Sequence, residues 1–149
     1  MPGDIEAIEA IEVEAVTLHI GFVMLPEYTL STFSNAVGIL RMANRLSGKE
    51  LYHWSLHSVG GQSVVSSAGL ELALDGGLDA ASEADIMLVC GGYSVKSHCD
   101  KPLLDGLRKM AKRKIPMGGI CTGSYALAAA GLLDGYRCTI HWENLASLR

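Results

Sequence analysis

Residues 115–133 read Ile-Pro-Met-Gly-Gly-Ile-Cys-Thr-Gly-Ser-Tyr-Ala-Leu-Ala-Ala-Ala-Gly-Leu-Leu, a short apolar run that passes through Gly119-Ile-Cys-Thr-Gly123 into an alanine-rich stretch. The first half has the composition of a buried strand and the second that of a helix. The spacing predicts a strand over 115–120 and a helix over 122–133. Between them stands a G-x-nucleophile-x-G turn, with glycines where side chains on the flanks would collide and Cys121 held in strained backbone at the top of the strand.

Working outward, the same alternation repeats. Upstream, Ile86-Met-Leu-Val-Cys90 is a continuous apolar run closed by Gly91-Gly92, followed by a predicted helix over 101–114. Further upstream, Val16 to Leu25 is a β-rich run ended by Pro26, and Ser31 to Leu46 reads as a helix. Ser31 or Ser34 is its expected cap, Phe33, Val37, Leu40 and Ala43 its buried face, and Gly48 its stop. Residues 52–59 alternate as a half-buried strand, two short strands are expected near 63–66 and 70–74, and another at Cys138–His141. Glu143–Arg149 is expected to begin a helix. Strands separated by helices of ten or more residues make a doubly wound α/β domain, a mostly parallel sheet with helices on both faces. Such sheets bind ligands beyond the carboxyl ends of their strands, which points to the loops at 26–30, 91–95, 121–124 and 141–144.

The chain has 149 residues, the size of one domain, with 49% hydrophobic and 19% charged residues. Its longest apolar runs fall far short of the roughly 20 residues that span a bilayer. The opening Met-Pro-Gly-Asp lacks the features of a secretory signal, so a cytoplasmic protein without a membrane partner is expected. Residues 1–15 form an acidic extension with five acids and no base; with five of the 16 acids there, the remainder carries 12 bases against 11 acids. A near-neutral body lacks the excess positive charge that phosphate contacts need, so no nucleic-acid surface is expected in this chain. The basic cluster Arg108, Lys109, Lys112, Arg113 and Lys114 reads as a solvated helix face. Four cysteines without a CxxC pair, and no GxGxxG or GxxxxGK[ST] pattern, give no support for zinc, a disulfide scaffold or a nucleotide; no cofactor is expected.

The candidate chemistry centres on Cys121. A helix N-terminus favours a thiolate, and the amides of Thr122 and Gly123 stand where an oxyanion or carboxylate would sit. His141, 20 residues downstream, is the candidate base, brought near by adjacent strand ends. Gly92 of the neighbouring loop and Trp142, with Tyr28 or Tyr93, complete the candidate cleft. His19, His53 and His57 read as structural, and His98 as a residue that could reach the cleft or a partner subunit.

Gly119-Ile-Cys-Thr-Gly-Ser-Tyr-Ala-Leu-Ala-Ala-Ala-Gly-Leu-Leu-Asp-Gly135 and Cys138-Thr-Ile-His-Trp-Glu143 resemble the ThiJ/PfpI superfamily, a flavodoxin-like, class I glutamine amidotransferase-like fold. Gly21-Phe-Val-Met-Leu-Pro26, Leu40-Arg-Met-Ala-Asn-Arg-Leu-Ser-Gly48 and Ser67-Ala-Gly69 point to the branch that forms the N-terminal half of GlxA-type AraC-family transcriptional regulators. The resemblance runs over 16–149. It implies a ligand-sensing domain for an amino-acid-derived or quaternary-amine compound, a homodimer, and DNA contact only through a C-terminal helix-turn-helix domain that these residues do not include. It also implies that the family domain continues past Arg149. Superfamily enzymes hold an acidic residue against the cysteine near the start of the first helix, and here that position is Thr32. The alternative is a cysteine-dependent hydratase or amidase acting on a small carbon–nitrogen substrate, with Cys121 attacking, His141 moving the proton and Glu27 or Glu143 orienting the histidine.

Overall fold

The computed structural model describes residues 16–148. The acidic extension at 1–15 and Arg149 lie outside the described residues. The elements, in order, are β1 Leu18–Met24, α1 Leu30–Ser47, β2 Tyr52–Ser58, β3 Val64–Val65, β4 Glu71–Leu72, β5 Gly76–Gly77, β6 Ile86–Cys90, α2 Lys101–Lys112, β7 Met117–Ile120 and α3 Gly123–Ala129. Short 3-10 turns cover Ala80–Glu83, Val95–His98 and Trp142–Leu148.

β5, β2, β1, β6 and β7 form one sheet in that order, and each of its pairings is parallel. β3 and β4 pair antiparallel as a separate two-stranded ribbon. The register places Met24 opposite Cys90 and Cys90 opposite Ile120, so β1, β6 and β7 end at one level. The sheet reverses its winding between β1 and β6, where loops leave towards opposite faces and a crevice opens.

Two apolar layers sandwich the sheet. Alternate residues of β1 point to opposite faces. Phe22 and Met24 pack with Tyr28 and Phe33 under α1, with Val37 and Leu40 alongside. Val23, Met87 and Val89 pack with Leu103, Leu107 and Met110 of α2 and Ala126 and Leu127 of α3. Burying about ten such large side chains at roughly 1.5–3 kcal/mol each is what drives the layers together.

Local signals set the helix ends. Asp100 caps α2, its carboxylate accepting from the Leu103 amide at 3.1 Å, with Pro102 in the first turn. Gly48 ends α1 at φ 66, the left-handed conformation a Cβ disfavours. Neither expected serine caps α1: the N-cap is Thr29, whose side chain makes no capping bond, and Ser34 donates to the Ser31 carbonyl inside the helix. α3 is shorter than the alanine run predicts, because the chain turns off at Ala130 and Gly131, the latter at φ 76. Residues 138–141 are no strand: among the described residues no strand pairs with β7 on its outer side, and an isolated extended segment has no ladder to join. Residues from 142 form a 3-10 turn where a helix is expected. β5, missed in the sequence, is two glycines that pair with His57 and Ser58; side-chain pattern gives no signal in such a strand.

Candidate functional site at Cys121

The turn between β7 and α3 is crowded for a reason visible in the packing. A Cβ on Gly119 would strike the Ser124 amide and sit 2.7 Å from the Gly123 carbonyl carbon, and one on Gly123 would overlap the Val89 carbonyl. The backbone therefore folds onto β6 and onto its own helix as only glycine allows. Cys121, between them, has φ 57. A non-glycine residue in that conformation costs of order 1–3 kcal/mol, and the packed glycines on either side hold it there.

Two further loops meet this turn. Thr29 ends the β1–α1 loop, and its amide donates to the Gly91 carbonyl at 3.1 Å. Its hydroxyl lies 3.4 Å from the Cys121 sulfur. Thr122 is buried, and its hydroxyl donates to the Gly92 carbonyl at 2.9 Å, tying the third loop down. Gly91 cannot carry a side chain either: a Cβ there would sit 2.6 Å from the Gly123 amide.

The result is an open cleft of about 590 Å³ at the carboxyl ends of β1, β6 and β7. Thr29, Ser31, Thr32, Ser67, Ser94 and Thr122 give it a collar of hydroxyls; Cys121, His141, Glu143, Asn144, Gly92 and Tyr93 complete it. His141 arrives by a route other than the expected strand end. The coil after α3 brings its amide to the Cys121 carbonyl, at 3.4 Å, and its Nδ1 stands 3.8 Å from the Glu143 carboxylate. Among the described residues, no group of three or more His, Cys, Asp or Glu is placed to hold a metal ion. A larger groove of about 780 Å³ along the outer edge of β7 shares no lining residue with the cleft.

Cys121, Thr122, His141 and Gly92 of the sequence reading thus come together. Gly123 is buried under the turn and acts through its missing side chain. Trp142 leans on the His141 ring at 5.8 Å but is 75% exposed and does not line the cleft. Tyr28 is buried against Phe33, 5.7 Å away, and contributes to the core alone. Glu27 turns to His98 and Glu143 to His141, so of the two carboxylates only Glu143 accompanies the candidate base. His98 does not reach the cleft. Thr29, Ser31, Ser67 and Ser94 were missed as site residues, since scattered hydroxyls carry no spacing rule; Ser67 lies in the Ser67-Ala-Gly69 string that supports the resemblance.

The neighbouring thiol is of another kind. Cys90, buried at the end of β6, has its pKa raised by desolvation and further by Cys121. It is a core residue.

The sequence profile of the DJ-1/PfpI family matches residues 29–149, which include the Cys121 turn, Thr32 and His141. The chain belongs to the DJ-1/PfpI family. Among curated proteins, this DJ-1/PfpI domain is 45% identical over 130 residues to the HTH-type transcriptional regulator GbdR of Pseudomonas aeruginosa, covering 87% of this chain and 35% of that one. It is 37% identical over 134 residues to the HTH-type transcriptional regulator GlxA of Rhizobium meliloti, covering 87% of this chain and 40% of that one. The crystal structure of an AraC family transcriptional regulator from Pseudomonas putida superposes with a TM-score of 0.79 at 32% identity, covering 88% of this chain and 70% of that one. The chain therefore spans 35% and 40% of the length of the two curated regulators. Its helices are too short or too polar to cross a membrane, among the described residues.

Proposed function

We propose that this DJ-1/PfpI domain is the small-molecule sensor of an AraC-type transcriptional regulator, binding an amino-acid-derived or quaternary-amine ligand in the cleft at Cys121. The observation that carries the reading is the partner of the cysteine. Its sulfur faces the neutral Thr29 hydroxyl, and Thr32, at the position where superfamily enzymes are acidic, donates to the Thr29 carbonyl at 2.9 Å. Hydratase chemistry needs a carboxylate there to orient water and move a proton. A ring of hydroxyls with one carboxylate is suited to hold a small zwitterion: Thr29, Ser31, Ser67 and Ser94 donate to its carboxylate, while Glu143 and the Tyr93 ring meet its cation. The regulator relatives support the same reading.

DNA contact belongs in this proposal to a separate helix-turn-helix domain. The domain works as a cytoplasmic homodimer. A thermal-stability panel of amino acids and quaternary amines tests the sensor reading. A ligand at 100 times its Kd adds about 2.7 kcal/mol, and Cys121→Ala or His141→Ala should reduce that gain. A panel without any shift overturns it.

The second reading, a hydratase or amidase, is favoured by one observation, the Glu143 carboxylate beside His141 Nδ1. It requires turnover of a small carbon–nitrogen substrate that Cys121→Ser abolishes.

A further inference from the structure

Two of the loops that wall the cleft meet a second time on the side away from Cys121. The β1–α1 loop carries Glu27 two residues before Thr29, and the loop after β6 carries Gly92, Tyr93 and Ser94 and then the turn Val95–His98. Their backbones are stitched: the Tyr93 amide donates to the Glu27 carbonyl at 3.3 Å, and Tyr28 bridges to Gly92. A Cβ on Gly92 would overlap that same Glu27 carbonyl.

Both loops are held in backbone conformations that side chains disfavour. Glu27 has φ 60 and Ser94 has φ 52. Glycine would adopt either more easily, so what Glu27 adds is its carboxylate. That carboxylate lies 3.4 Å from His98 Nε2, and among the described residues it is the one side-chain hydrogen-bonded pair that joins the two loops. The other charges near His98 are engaged elsewhere. Asp100 caps α2, and the Lys96 ammonium sits 5.7 Å above the Tyr125 ring.

We infer that Glu27 and His98 form a clasp that closes the two cleft walls on each other and thereby presses Thr29 against the Cys121 sulfur. Both are positioning residues, since neither touches the cleft. The inference does not depend on what the cleft binds. Releasing the clasp lets the β1–α1 loop lift, takes the Thr29 hydroxyl off the sulfur, and uncovers it. An exposed pair of this kind shifts an open–closed balance by up to about fivefold, not by orders of magnitude.

The test is iodoacetamide labelling of the full chain at fixed pH, read by peptide mass spectrometry as the Cys121 rate divided by that of exposed Cys138. Glu27→Gln and His98→Gln should each raise the ratio about 1.5- to 5-fold, the double variant should raise it no further, and the reversed pair Glu27→His with His98→Glu should bring it back towards the original value. Glu27→Gly guards against a folding artefact, because glycine favours the observed backbone; it should melt no lower than the parent yet label Cys121 faster. An unchanged ratio in both single variants, or effects that simply add in the double variant, would overturn the clasp. A failed ligand panel would overturn the sensor reading and leave this result standing.

Discussion

The Thr29 hydroxyl lies 3.4 Å from the Cys121 sulfur, across 92 residues of sequence. A hydroxyl in this place can share a hydrogen bond with the sulfur but carries no charge with which to drive proton transfer. Cys121 should therefore react with iodoacetamide at neutral pH no faster than exposed Cys138. A rate tenfold above Cys138 would contradict the sensor reading and favour the enzyme.

A glycine of the Cys121 turn and one of α1 differ sharply in what a side chain would meet. On Gly123 a Cβ overlaps the Val89 carbonyl, whereas on Gly38, in the middle of α1, it meets nothing within 4 Å. Gly123→Ala should destabilise by about 2–4 kcal/mol, since backbone must move. Gly38→Ala should stabilise by about 0.5–1 kcal/mol, through helix propensity and a less flexible unfolded chain. Denaturant unfolding of the two variants side by side checks both signs.

His57 is 3% exposed, its Nδ1 has no hydrogen-bond partner, and burial lowers its pKa below 6.5. In the unfolded chain it takes up a proton as pH falls through 6.5, while in the folded protein it resists. The unfolded state binds more protons in that window, so stability should fall from pH 7 to pH 5, by at most about 1.4 kcal/mol per pH unit. The carboxylates with lowered pKa, Asp79 and Asp105, affect stability only below their ordinary value of 3.8. Chemical denaturation across pH 5–7 should show the slope in the parent and lose it in His57→Asn.

Asp100 alone caps α2, by the bond to the Leu103 amide. Asp100→Ala leaves that amide without its partner and should cost about 1 kcal/mol, with Asp100→Asn close to neutral. Thermal melts of the pair give the comparison.

What was legible in the sequence is whatever local chemistry controls. The apolar run Ile86–Cys90, the β-rich run at β1, the alternation through β2, Gly48 after α1 and the glycine-flanked turn at Cys121 each follow from side-chain composition and periodicity or from a conformation only glycine takes cheaply. They suffice for the α/β class and for the place of the cysteine. Cys138–His141 misled, because strand-like composition makes a strand only where a partner edge accepts its hydrogen bonds. Trp142 misled as well: adjacency to His141 in sequence says nothing about which way a ring points.

Residues close together in the chain settle the α/β class, most of the strands and helices, and a strained cysteine at the end of β7. What surrounds that cysteine is set by long-range packing. Thr29, Gly92 and His141 come from three loops separated by dozens of residues, and contacts of that kind are set by strand order and register, which no local pattern encodes. The same holds for Glu27 and His98, 71 residues apart, whose meeting depends on β1 and β6 ending at the same level of the sheet.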